Sequence, residues 1–561
     1  MTFPTALLRR PGCARAISRL RPAAVLWLAL HAGFSACFLG CFLGSAAPAQ
    51  AQSSSRSLRM LERWSETERE SLERIDLEDL TGYLDTGLHS SRIDRDRFDV
   101  ALLRLLGRTA LEQPTTHGQL VAELALQAAG ERLRGVGGAD FGAWAFRRIL
   151  ARTEPSDMRM RVGACLVLDE HPKDIGLPAL LTALKDPEFE VQRAALLALT
   201  GWAEADASRA LLSTSQTGKG ELKRIARWQL GVHLRALERL ADGPPGEAQG
   251  WPESLGGLLA GALLPDLLEL EWRRALQAAE LSRFGRPEQV APRLIEALLL
   301  WDSRRDADGE TRAFVGIDRV RWAITDSLRA ISGAAIPPDP RRWRSWWTAV
   351  REGRREFAED IAANGPGRTE AGFFGLRIRS GAVAFLIDSS GSMSGQMPAR
   401  PHQSTTDGLG PQTRFEAATE QLEKFLASAE EGTVFRLGLF SSGAKVYNTV
   451  PHRADERGRE AALRWMNGQR PDGGTVLSSG MDKLVKPNKA GAIDLESLGF
   501  DTLIILCDGA TAEGRSWARA WLRSYNTDAQ LVIHAVQIGS GPALALETLA
   551  EGSGGQFVRV E

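Results

Sequence analysis

The chain has 561 residues, 43% of them apolar and 25% charged, with a formal net charge of −1 at pH 7. That length accommodates several domains, and the composition is that of a globular protein rather than a disordered or fibrous one. A balance this close to zero provides no basic surplus, so no nucleic-acid partner is expected.

In chain order, residues 1–51 come first. Arg9, Arg10, Arg15, Arg19 and Arg21 carry all of their charge, an apolar run follows from about Ala23 to Ala47, and Ala49-Gln50-Ala51 ends it in a small-x-small pattern. This predicts export through a cleaved signal peptide, or membrane attachment if the apolar segment is retained. The expected location is periplasmic, cell-surface or secreted. Three of the five cysteines lie in this leader; Cys165 and Cys507 sit inside apolar runs and read as buried thiols without a disulfide framework.

Residues 52–97 read as a charged helical lead-in, and helical patterning continues over 98–357. Within it a nonamer recurs: "MRVGACLVL" from Met160, "VQRAALLAL" from Val191 and "LKRIARWQL" from Leu222, each starting 31 residues after the last. Met160, Val191 and Leu222 match, as do Ala164, Ala195 and Ala226, and Leu168, Leu199 and Leu230. Positions i, i+4 and i+8 share one helix face, so these are core positions, and the small residue between them admits a neighbouring helix. "VRWAITDSL" from Val320 is a further copy out of strict period. The pattern resembles HEAT-type repeats, which implies an α-solenoid with an extended surface for partners. "RRWRSWWTAVREGRREF" (Arg341 to Phe357) is expected to cap the last repeat. Residues 358–370 read as a linker.

From about residue 371 to 561 apolar strands alternate with amphipathic helices. Strands are predicted in "GAVAFLID", "TVFRLGLF", "DTLIILCDG", "AQLVIHAVQIG" and "QFVRV", with helices in "RFEAATEQLEKFLASAEE", "GREAALRWMNG", "RSWARAWLRSY" and "PALALETLAE". Continuous apolar strands joined by helices predict a doubly wound, mostly parallel, Rossmann-like α/β sheet, with ligands at the carboxyl ends of the strands. The expected fold class is therefore multidomain: a HEAT-like α-solenoid followed by this sheet.

Asp388, Ser390 and Ser392 form D-x-S-x-S on the loop leaving a buried strand. "GGT", Gly473 to Thr475, supplies a second loop, and Asp508 ends another strand. Oxygen-only donors converging from three loops suit a hard divalent ion, Mg²⁺ or Mn²⁺. These motifs, in this order, resemble the von Willebrand factor type A (VWA) domain with a complete metal-ion-dependent adhesion site. The resemblance covers about a third of the chain. It implies that Ser390 and Ser392 bind the metal directly, that Thr475, Asp388 and Asp508 bind directly or through water, and that one position stays open for a partner carboxylate. The partner implied is a protein ligand presenting an acidic residue.

Two features depart from the family. A Pro/Gly/Ser/Thr-rich loop, 394–413, is inserted beside the metal motif, and no helix follows "QFVRV". The expected function is a non-enzymatic binding or adhesion protein that captures its partner through the metal, with the helical scaffold as a second interaction surface. The alternative is an assembly scaffold whose metal site only stabilises the fold. A hydrolase ranks last: Ser390 stands where an aspartyl-phosphate enzyme needs a second Asp, and the eight histidines show no H-E-x-x-H spacing.

Overall fold

The computed structural model describes residues 54–66, 71–112, 115–172, 175–240, 264–307, 315–355, 372–397, 412–486, 493–509 and 511–560. The regular elements described up to residue 351 are helical, and strands begin at residue 372. The linker reading at 358–370 lies outside the described residues.

The helices run α1 (Ser54–Glu66), α2 (Leu77–His89), α3 (Arg95–Leu111), α4 (Thr116–Arg134), α5 (Gly138–Gly142), α6 (Met158–Glu170), α7 (Gly176–Ala183) and α8 (Phe189–Leu199). Then come α9 (Ala205–Thr217), α10 (Gly220–Leu240), α11 (Trp272–Ser282), α12 (Pro287–Ala307), α13 (Ile317–Ser332) and α14 (Pro340–Arg351). Several start on a side chain that accepts main-chain N–H groups left over in the first turn: Asp76, Asp94, Thr115 and Asp157.

The three nonamers fall on α6, α8 and α10, with α7 and α9 between them. Ala164, Ala195, Ala226, Leu168, Leu199 and Leu230 are all fully buried, and α8 packs against both α6 and α10. In α13, Val320, Ile324 and Leu328 are equally buried. The lead-in belongs to the same core through Leu58, Leu61 and Trp64. Glycine sets the tightest crossing. A Cβ at Gly107 of α3 would lie 1.9 Å from the Arg159 carbonyl oxygen, and one at Gly163 of α6 2.0 Å from that of Leu103. Only two bare backbones approach this closely. The Trp-rich segment is core on one side: Trp343 and Trp346 are buried with ring centroids 5.7 Å apart, and α14 packs on α12.

The second part opens with a short hairpin, β1 (Gly372–Phe373) and β2 (Leu376–Arg377), and continues with β3 (Ala382–Asp388), α15 (Arg414–Ser428), β4 (Val434–Phe440), β5 (Ala444–Val446) and β6 (His452–Arg453). It closes with α16 (Glu456–Asn467), α17 (Leu477–Val485), β7 (Thr502–Cys507), α18 (Arg515–Trp521), β8 (Val532–Ile538), α19 (Leu544–Ser553) and β9 (Phe557–Val560). The sheet order is β5-β4-β3-β7-β8-β9, with β6 also on β4. The five long strands pair in parallel, and β5 and β6 run antiparallel to β4, so the sheet is mixed. Every residue of β3, β4 and β7 is buried, as two covered faces require. One apolar cluster fills each face.

The two parts are joined by ionic contacts. Asp501, fully buried just before β7, accepts hydrogen bonds from the Gly316 amide at 2.6 Å and from the hydroxyls of Ser380 and Thr502. Arg319 of α13 donates to the carbonyls of Asp501 and Gln530 at 3.0 and 2.7 Å. On the flank, Arg523 pairs with Asp169 at 2.8 Å and Arg519 with Glu170. The amide of Ser516 in α18 donates to Glu123 of α4 at 3.3 Å.

One expectation is corrected. Among the described residues no helix is long and apolar enough to cross a membrane, which conflicts with an exported chain anchored by an N-terminal apolar segment. The leader 1–51 that carried that expectation lies outside the described residues.

Candidate metal centre

β3 and β7 are parallel neighbours, and Ile387 pairs with Leu506 in the register. Both strands therefore end at the same level. Asp388 is the last residue of β3, and Asp508 follows the last residue of β7. Adjacent strands stand about 4.8 Å apart, so two carboxylates at matched ends are forced close together. Ligand atoms of Asp388, Cys507 and Asp508 all lie within 4.8 Å of one another, a group able to hold a metal ion.

The serines complete a continuous polar chain. The Ser390 amide donates to Asp388 Oδ1 at 2.7 Å. Ser390 Oγ and Ser392 Oγ are 3.0 Å apart, and Ser392 Oγ donates to Asp508 Oδ1 at 2.9 Å. The loop turns tightly over Gly391–Ser394, with Met393 buried beneath as its anchor. Asp388, Ser390 and Asp508 are buried, whereas Ser392 is exposed, so the cluster opens to solvent on the Ser392 side.

Thr475 joins through its loop. Gly391 N donates to the Gly473 carbonyl at 3.0 Å, and Asp472 N to that of Ser389 at 2.8 Å, stitching the serine loop to the threonine loop. The Ala512 amide donates to the Thr475 carbonyl at 2.9 Å. Four of the five expected residues are thus linked by their own polar groups, and the fifth lies on the adjoining loop, which is held by main-chain bonds.

Three further residues shape the site: Cys507, read from the sequence as a buried thiol but not as a partner of Asp388, and Glu513 and Arg414, which sequence reasoning missed. The buried thiol of Cys507 donates to Asp388 Oδ2 at 3.1 Å. Burial, and then the Asp388 charge, hold that thiol well above its ordinary range, in keeping with its donating to the carboxylate. Glu513 caps α17, accepting from Leu477 N at 3.1 Å and Ser478 N at 2.7 Å, which ties the Asp508 loop to the Thr475 loop. Arg414 donates to Asp508 Oδ2 at 2.7 Å. One signal for Arg414 was available: a cation at the first position of a helix opposes the dipole and invites the question of what holds it.

Burial raises the carboxyl of Asp388, opposed by the Ser390 amide, the Cys507 thiol and the Ser390 hydroxyl; the Asp508 charge raises it further. Such a pair gains from a nearby divalent charge, which removes both the desolvation penalty and the mutual repulsion. The donor set is two carboxylates and two or three hydroxyls, all oxygen, and fits a hard cation. The base of the 394–413 insertion is described: Gln396 pairs with Thr413, and Met397 N donates to the Gln412 carbonyl. Residues 398–411, and with them the expected part of this loop in recognition, lie outside the described residues.

No family model matches the sequence, and no curated protein matches it either. Part of the chain is similar to several solved structures. One is a von Willebrand factor type A protein from Catenulispora acidiphila, 21% identical over 32% of this chain and 38% of that one, with a TM-score of 0.24. Proximal thread matrix protein 1 from the mussel byssus is 15% identical over 32% and 41%, with a TM-score of 0.23. The conserved hypothetical protein BatB from Bacteroides thetaiotaomicron is 16% identical over 32% and 89%, with a TM-score of 0.22. The chain spans less than half the length of the first two.

Proposed function

We propose that this chain is a non-enzymatic binding protein. Its α/β part holds one Mg²⁺ or Mn²⁺ through Ser390 and Ser392, with Asp388, Asp508 and Thr475 completing the set directly or through water. The observation that carries the reading is the continuous chain from Asp388 through Ser390 and Ser392 to Asp508. Two carboxylates neutralise a divalent ion without saturating it, and hydroxyls are weaker donors, so the ion retains affinity for an incoming carboxylate. The exposed Ser392 side is where that carboxylate enters, and a protein presenting an acidic residue is the partner this chemistry fits. The helical part acts as a HEAT-like scaffold that fixes the site's orientation and offers a second surface.

A displayed peptide library panned against the full chain in Mg²⁺ and eluted with a chelator tests this. Enrichment of Asp- or Glu-bearing peptides, lost in Asp388→Ala, is expected. Peptides retained equally with and without chelator contradict it. Because Asp388 and Asp508 are buried, a second reading is that the ion only stabilises the fold. It predicts a higher melting temperature with Mg²⁺ and no chelator-sensitive peptide.

A further inference from the structure

Arg414 occupies the first turn of α15, where the positive end of the helix disfavours a cation. Its guanidinium nevertheless turns inward onto Asp508 and is only 27% exposed. Its backbone amide donates to the Gly395 carbonyl at 2.9 Å, so the base of the inserted loop fixes where α15 begins. The side chain then runs between two glycines: a Cβ at Gly395 would touch Arg414 Cζ at 3.7 Å, and one at Gly539 would touch Nη2 at 3.8 Å. Asp508 is consequently divided. Oδ1 accepts from Ser392 and Oδ2 from Arg414. Among the described residues no other cation lies within ion-pair distance of Asp388 or Asp508.

We infer that Arg414 is a resident cation that competes with the metal ion for Asp508, so that the ion is held weakly and its occupancy follows its free concentration. This rests on the metal reading above and deepens it. Two carboxylates and one guanidinium leave the site at −1 without the ion and +1 with it. The first state repels an acidic partner and the second attracts one, so partner capture becomes conditional on the ion.

Titration of Mn²⁺ into the full chain, with free Mn²⁺ read by electron paramagnetic resonance, tests the inference. Arg414→Gln removes the competing charge and is expected to tighten Mn²⁺ binding about tenfold. Arg414→Lys keeps the charge on a shorter stem and is expected to fall between wild type and the glutamine variant. Circular dichroism checks that each variant folds, and the lysine variant carries the comparison if the glutamine variant does not. A wild type that binds Mn²⁺ while neither variant binds it more tightly overturns the competition alone. A wild type and variants that all fail to bind remove the metal reading, and the inference with it.

Discussion

His534 lies on β8, nearly buried, and its Nδ1 accepts the Gln556 amide at 3.1 Å. Burial, and then the Arg319 charge, pull its imidazole down to about 4. An unfolded histidine titrates near 6.5, so the unfolded chain binds the extra proton first and stability falls as pH drops from about 6.5 toward 4. Between pH 7 and pH 5 this group should cost about 2 kcal/mol. Asp482, pushed up to about 6 by burial and the Glu513 charge, works the opposite way, since its stabilisation is lost as pH rises through that value. The difference between wild type and His534→Gln therefore isolates the imidazole. Urea unfolding at the two pH values should show the variant losing less on acidification; an equal loss would place the proton elsewhere. At this scale the sequence displayed Asp388, Ser390, Ser392 and Asp508 because each stands at or just beyond a strand end, where an apolar run stops at oxygen-bearing side chains. Arg414 and Cys507 gave no comparable mark. Their roles come from contacts 94 and 119 residues away in the chain, which only the strand order creates.

Among the elements, α17 is the one on which the site depends most. It starts two residues after Thr475, and its first amides are satisfied from across the site by Glu513. Replacing Glu513 with Ala removes both bonds, which should destabilise the domain by about 1 kcal/mol, the usual value of a lost helix cap. Because the same carboxylate ties the two loops of the proposed site together, Mn²⁺ affinity should fall with it. Thermal melts and Mn²⁺ titration of Glu513→Ala check both effects; an unchanged affinity would mean that the Thr475 loop is fixed by its main-chain bonds alone. The predicted strands all occur, since short, largely apolar runs bounded by turns fit a covered sheet, with only the edge strand β9 left partly exposed. α17 was not read from "LSSGMDKLV", although Leu477, Met481, Leu484 and Val485 recur at helical spacing, because the run is only nine residues long and its cap comes from a distant loop. The short strands β5 and β6 escaped for a related reason: their residues are half-exposed and pair only because β4 leaves its outer edge open.

For the molecule as a whole, the helical part holds the chain on both sides of Asp508. Gly316 and Arg319 grip Asp501 just before β7, and Glu123 and Glu170 hold α18, and Asp169 the residues after it, beyond the Asp508 loop. None of this was legible beforehand, because a buried charge paired across domains looks in sequence like any surface residue. Asp501→Asn weakens the buried acceptor that takes the Gly316 amide and the Ser380 and Thr502 hydroxyls, and should cost about 1–3 kcal/mol, the usual scale for leaving buried polar groups without their partner. Calorimetric unfolding should then resolve the two parts as separate transitions; one unchanged transition would show that the contact is incidental. The central claim is that these parts together present a divalent-ion site, and isothermal titration of Mg²⁺ and Mn²⁺ into the chelator-treated full chain tests it most directly. One ion should bind to the wild type and none to the Asp388→Ala, Ser390→Ala double variant, whereas equal binding by the two proteins would contradict the claim.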